Sequence, residues 1–152
     1  MSTNQPVYRE RLSPSVWIFL ATALVIPAAL LVFLPISIWA GAAVAALLYG
    51  GIVAVLILTT PTIEVANGML RAGRARLPLD VVSEVRSVHG AEAVAERGVR
   101  LHADAWLLIR GWIPDVVRIE LDDPQDPTPY WIISSRSADR LAATIAAHLT
   151  RR

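Results

Sequence analysis

Arg71, Arg74 and Arg76 bring three guanidinium groups into one short stretch, and clustered guanidinium groups bind anions, phosphates above all. Each Arg held beside an anionic lipid surface gains about 1 kcal/mol, so three on one side could hold a folded segment against a bilayer. A second group joins Trp106, Arg110 and Trp112, with Tyr130 and Trp131 further on; aromatic residues and Arg dominate binding hot spots. A third is Asp122, Asp123 and Asp126, whose carboxylates suit a hard cation such as calcium, although two prolines interrupt them and no glycine supplies the usual sharp turn. His89, His102 and His148 lack metal-ligand spacing, Ser134 and Ser135 have no base beside them in the sequence, and there is no Cys. No catalytic residue, metal site or cofactor is therefore expected. The chemistry on offer is binding.

The elements that must position these groups divide sharply. No charged residue occurs between Arg11 and Glu64, and that interval holds two apolar runs, Val16 to Leu34 and Ile38 to Leu58, separated by Pro35-Ile36-Ser37. A helix needs roughly 20 apolar residues at 1.5 Å rise to cross about 30 Å of hydrocarbon, and each run has that length. The sequence thus predicts a transmembrane hairpin over residues 15–60, preceded by a cytoplasmic segment, 1–14, and followed by one small cytoplasmic domain, 61–152. A signal peptide is the rival reading of the first run, with Arg9 and Arg11 as its basic flank, but the run exceeds the usual apolar length of such signals and a second span follows at once. Arg9 and Arg11 before the hairpin and Arg71, Arg74 and Arg76 after it, against an uncharged turn, assign both termini to the cytoplasm by the positive-inside rule. Trp17 and Trp39 suit the two interfacial belts.

Within the hairpin, Pro27 should kink the first helix, because it removes a backbone donor. Gly41 with Ala45, and Ala46 with Gly50, are small residues four apart that let helix backbones approach, either within the hairpin or against a membrane protein partner or a second copy. No buried charge marks an ion path.

Beyond Pro61 the periodicity changes to alternation. Thr62–Ala66 and Met69–Gly73 read as a hairpin about Asn67-Gly68, followed by strands over 75–79 and 81–88, a helical turn or loop over 91–96, strands over 99–110, 116–121 and 128–134, and an amphipathic helix opening at Ser137 and carrying Leu141, Ile145 and Leu149. Residues 64–152 balance 12 Arg against 12 acids, which argues against nucleic-acid binding. About seven short strands and one C-terminal helix make a small, mainly β, α+β domain in the order of a pleckstrin-homology-like split barrel.

Tyr8-Arg9-Glu10-Arg11-Leu12, Asn67-Gly68-Met69-Leu70-Arg71-Ala72-Gly73, Ala75-Arg76-Leu77-Pro78-Leu79, and Asp123-Pro124-Gln125-Asp126-Pro127-Thr128-Pro129-Tyr130-Trp131 carry a family likeness together with the closing helix. On them the whole chain resembles an uncharacterised family of actinobacterial membrane proteins with two N-terminal spans and a domain of unknown function. Residues 62–85 are also similar to membrane-tethered bacterial pleckstrin-homology domains. The resemblance implies location and fold, and no activity. The resulting expectation is a non-catalytic adaptor at the cytoplasmic face of the plasma membrane, binding anionic phospholipid head groups or a partner protein; an accessory subunit of a membrane enzyme or transport complex is the alternative.

Overall fold

The backbone of an uncharged stretch has to satisfy its own donors and acceptors, and it does so as helix. In the computed structural model, which describes residues 6–150, a strand β1 (Tyr8–Arg11) comes first, followed by helices α1 (Val16–Ala23), α2 (Val25–Phe33) and α3 (Ile38–Leu58). α1 and α2 are two halves of one apolar helix interrupted at Leu24. Pro27 explains the break: it offers no N–H to the carbonyl four residues earlier, at Ala23, and its ring crowds that carbonyl. Ser37 caps α3 by accepting from the Ala40 amide at 3.4 Å. Val16–Phe33 and Ile38–Leu58 are each long and apolar enough to cross a membrane, with only 6% and 11% of their residues buried. Their apolar surface is outward, so neither is the core helix of a soluble fold.

Gly41 and Ala45 are buried where α3 meets α2; a Cβ on Gly41 would stand 3.1 Å from Phe33 Cβ. Ala46 and Gly50 lie on the open side of α3, and a Cβ on Gly50 would meet nothing within 4 Å. The two small pairs therefore separate, the first serving the hairpin and the second facing away from it.

The chain falls into two compact units, the helical segment Ser13–Thr60 and a head built from the chain on both sides of it. The head's first sheet is antiparallel in the order β1-β2-β3-β4, with β2 (Thr62–Ala66), β3 (Met69–Ala72) and β4 (Ala75–Pro78). Asn67 and Gly68 turn β2 into β3 with φ of 52° and 70°, the left-handed pair a two-residue hairpin requires. The segment expected to precede the domain contributes a strand to it: Tyr8 pairs with Val65 and Arg11 with Thr62. Tyr8–Arg11 thus belong to the head's first sheet, and the helical unit is an insertion between two neighbouring strands of that sheet. Tyr8 and Leu12 are buried there, 5% and 0% exposed, among the core side chains.

After a 3-10 turn, Leu79–Val81, come β5 (Val82–Val88), α4 (Gly90–Arg97), β6 (Trp106–Leu108), β7 (Val116–Leu121), β8 (Tyr130–Ser134) and α5 (Ala138–Leu149). The second sheet runs β5-β7-β8-β6, antiparallel except that β6 lies parallel to β8. Among the described residues the head thus has eight strands in two mostly antiparallel sheets and a C-terminal helix, against about seven expected. A strand was expected over 99–110; only Trp106–Leu108 is extended, while Leu101 and Ala105 close turns onto Gly98 and His102. Gly98, Ala103 and Asp104 are poor strand formers, and the apolar side chains of this stretch pack as a loop instead.

The main core collects Ile63, Val65 and Leu70 from the first sheet, Val117, Ile119, Trp131 and Ile133 from the second, and Leu141 and Ile145 from α5. Each such side chain buried contributes about 1.5–3 kcal/mol. On the opposite face of the second sheet, Val88, Val116, Tyr130 and Ile132 pack beneath Ala93 of α4. β8 is covered on both faces and all five of its residues are buried.

Candidate functional site

Alternation along the first sheet turns Tyr8, Ile63, Val65, Leu70 and Leu77 inward and leaves Arg9, Arg11, Arg71 and Arg76 exposed on the outer face. The register aligns them in a row across all four strands: Arg9 opposite Glu64, Glu64 opposite Arg71, Arg71 opposite Arg76. Arg74 does not share a strand face with Arg76. It occupies the β3–β4 turn beside Gly73, whose φ is 62° and whose amide donates to the Thr62 carbonyl at 2.9 Å. That turn lies at the same end of the sheet as Leu12 and Pro61, which are themselves joined by a 3.0 Å backbone bond and bound the helical insertion. Arg9 and Arg11 belong to this surface although their sequence position, before the first apolar run, hid it.

Trp106, Arg110 and Trp112 lie closer to the interior than their surroundings in sequence suggested. Trp106 stacks on Trp131 at 3.9 Å between ring centroids, joined by the parallel pairing of β6 with β8, and packs against the main core. Trp112 packs there too; its indole N–H is buried and makes no hydrogen bond with the described residues. Arg110 stands 6.0 Å from the Trp112 ring centroid, and its amide donates to the Ser134 hydroxyl oxygen. Tyr130 sits on the opposite face of β8, its hydroxyl accepting from the His102 amide, with the Arg118 guanidinium 3.7 Å from its ring centroid.

An ionic cluster escaped the sequence reading altogether. Glu96 of α4, 2% exposed, is held by Arg86 at 3.0 Å and by Arg118, with Arg100 at 3.7 Å; Arg118 also binds Glu120 and Arg86 reaches Glu92. Burial works against the Arg118 charge, but its hydrogen bonds to Glu120 and Glu96 outweigh that and raise its pKa. These pairs clamp α4 to β5 and β7. Glu96 and Arg100 have the i,i+4 spacing of a local pair, but the bonds from Arg86 and Arg118 to Glu96 join separate elements and no local spacing reveals them.

Two further networks tie the helix ends down. Glu10 accepts from the Tyr8 and Ser135 hydroxyls and the Arg136 amide, which anchors β1 to the start of α5; burial, then the neighbouring Glu10, pushes the Tyr8 phenol up to about 12. Asp139 accepts from the Ser87 hydroxyl and contacts His89, whose other ring nitrogen is 3.3 Å from Asp115. His89 is pushed up, first by its bond to Asp139 and then by Asp115, while Asp139 is held below its ordinary range by Ser87 and then His89. Ser137 starts α5 as expected, although its hydroxyl makes no cap bond; Arg151 and Arg152, whose charges would suit the negative end of a helix, lie outside the described residues.

Asp123 and Asp126 accept from the Gln125 and Thr128 amides, so these carboxylates shape the turns of their loop; the Thr128 bonds hold Asp126 below its usual range. Among the described residues no three His, Cys, Asp or Glu side chains gather as a metal site would need. A groove of about 360 Å³ lies between α5 and the Asn67-Gly68 turn, lined by Val7, Val65, Arg140, Ala143, Thr144 and His148 among others.

The molecule so defined is an α+β head whose first sheet is interrupted by a pair of apolar helices long enough to span a bilayer, with a cationic face on that sheet. The chain belongs to the protein family of unknown function DUF3093, whose model matches residues 7–145, from the residue before β1 into α5. No curated protein and no solved structure matches the chain.

Proposed function

We propose that this chain is a membrane-anchored, non-catalytic accessory protein of the plasma membrane, with both termini cytoplasmic and a pleckstrin-homology-like head presented at the inner leaflet. The carrying observation is the insertion of the helical unit between β1 and β2. Arg11 and Thr62 are cross-strand partners, so the chain must leave and re-enter the head at one point. Two neighbouring strands cannot lie on opposite sides of a bilayer, and an even number of crossings follows; two suitable helices supply it. The cytoplasmic placement of the head is supported by the charge distribution. All the described Arg residues belong to the head, and the turn between α2 and α3 carries no charge.

The insertion also weighs against removal of the first helix as a signal. Cleavage anywhere in the helical unit would strip β1 from the sheet and Tyr8 and Leu12 from the core. A split-barrel reading of the head is supported by two sheets enclosing one core against a C-terminal helix; the parallel β6 is its own variation on that plan. A binding role is supported by where the polar chemistry is spent. The Ser134 and Ser135 hydroxyls are engaged with backbone amides and Glu10, and the charged clusters fasten elements together.

Single-cysteine labelling tests the arrangement cleanly, since the chain has no Cys of its own. A membrane-impermeant maleimide should modify Ile36→Cys, in the turn between the helices, on intact cells, and Gln125→Cys, in the head, only after permeabilisation. Modification of Gln125→Cys on intact cells would overturn the proposal.

A further inference from the structure

We propose that the outer face of the first sheet is a binding surface for the phosphate groups of anionic phospholipids, with Arg9, Arg11, Arg71, Arg74 and Arg76 as its cations. The inference rests on the reading of the helical unit as a membrane anchor.

Arg71 and Arg76 are directly opposite one another on adjacent antiparallel strands, an arrangement in which like charges repel. On the second sheet Arg86 and Arg118 also stand directly opposite, but Glu96 binds both, whereas Arg71 and Arg76 have no ion pair within 4 Å among the described residues. Glu64 is the single acid in the row, flanked by Arg9 on one side and Arg71 on the other, and it forms no ion pair within 4 Å with the described residues. Five guanidinium groups against one carboxylate leave a surplus of four positive charges on one face and its adjoining turn. Elsewhere on the head, Arg86, Arg100 and Arg118 are matched to Glu92, Glu96 and Glu120. The ionic cluster around Glu96 is balanced within the fold, whereas this face carries four more cations than anions, which calls for anions supplied from outside.

The source of those anions follows from chain length. Arg11 adjoins Leu12, which three residues (Ser13, Pro14 and Ser15) separate from α1, and Arg74 sits in the turn whose Gly73 amide bonds Thr62, which three residues (Thr59, Thr60 and Pro61) separate from the end of α3 at Leu58. Three residues reach about 10 Å at full extension. Arg11 and Arg74 thus stay within reach of the head-group layer, and the Arg9, Arg71, Arg76 row stands about 7 Å further along the strands. An acidic protein partner could neutralise the same charges, but a tether this short makes the lipid surface the anion always at hand.

A head lying on its cationic face brings the far end of the sheet to the bilayer, whereas a head that only hangs from its anchor leaves that end in water. Met69 reports the difference, because it is on the outer face at the Asn67-Gly68 end. The full chain carrying a nitroxide at Met69→Cys is reconstituted in vesicles of phosphatidylcholine alone and of phosphatidylcholine with phosphatidylglycerol, and collision with a water-soluble nickel chelate is measured. Accessibility should fall roughly two-fold or more in the anionic vesicles, and recover in about 1 M salt, where screening shortens to about 3 Å. Arg9→Gln, Arg71→Gln and Arg76→Gln together should abolish the fall, and Lys at the same three positions should keep most of it; all are exposed, so an unchanged melting temperature verifies the fold. Equal accessibility in the two vesicles overturns the proposal, as does a fall that survives the three Gln changes. Protection of Met69→Cys in native membranes but in neither vesicle also overturns it, in favour of an acidic protein. Ile36→Cys and Gln125→Cys labelling read the anchor independently, so failure of the lipid surface is distinguishable from failure of the topology.

Discussion

Glu96 shows how one residue can fasten an element. Its carboxylate is nearly fully buried and bound by Arg86 and Arg118, so removing its charge leaves Arg118, only 16% exposed, short of a counterion. Glu96→Gln should destabilise the head by about 3 kcal/mol, read as a lowered melting temperature in detergent, with α4 released first to hydrogen exchange. His89 gives a pH dependence of opposite slope to most carboxylate effects. Its pKa is raised above 6.5 by Asp139 and Asp115, so the folded state gains stability below about 6.5 and loses that gain as pH rises through the raised value. Asp139 is lowered from 3.8, so its share is present above that value and disappears as pH falls through the lowered one. The two describe one shared contact, complete between about pH 4 and 6.5. The melting temperature should therefore decline from pH 6 to pH 8.5 by more in the native chain than in His89→Gln, and equal declines would show that the contact contributes nothing.

At the scale of elements, the two glycine-containing pairs of α3 behave differently, although the sequence presents them alike. Gly41 is in contact with Leu30 and Phe33, whereas the surroundings of Gly50 are open. Gly41→Leu should overpack the α2–α3 contact at a cost of about 1–3 kcal/mol, while Gly50→Leu should leave the hairpin's thermal stability in detergent unchanged. Similar losses for both would mean that α3 is rotated from the orientation described. The break at Leu24 belongs to this scale as well, since Pro27 acts on the turn before itself.

For the whole molecule, the consequential feature is that the head is assembled from the chain on both sides of the helical unit. Without β1, strand β2 would become an open edge and Ile63 and Val65 would lose Tyr8 and Leu12 as neighbours. Residues 61–152 alone should consequently aggregate. A chain in which Ser13–Thr60 is replaced by a short Gly-Ser loop joining Leu12 to Pro61 should give a soluble, cooperatively melting head, because those two residues are already hydrogen-bonded. Comparable solubility of the two chains would deny β1 its structural role.

Local physics made several parts of this protein legible without coordinates. Absence of charge over the length of two spans specified the apolar helices, Pro27 their interruption, the left-handed preference of Asn67-Gly68 a two-residue turn, and four-residue apolar spacing the closing helix. Each is a property of neighbours along the chain. Tertiary structure alone decided what depends on pairing across distance. The alternation in Tyr8-Arg9-Glu10-Arg11-Leu12 is that of a strand, but a strand has no identity until a partner supplies its hydrogen bonds, and that partner lies beyond the whole helical insertion. For the same reason Arg9 and Arg11 joined Arg71 and Arg76 on one face, Trp106 and Trp112 turned inward, and Glu96 met Arg118: register and long-range packing set these contacts, and neither is encoded in the spacing of residues.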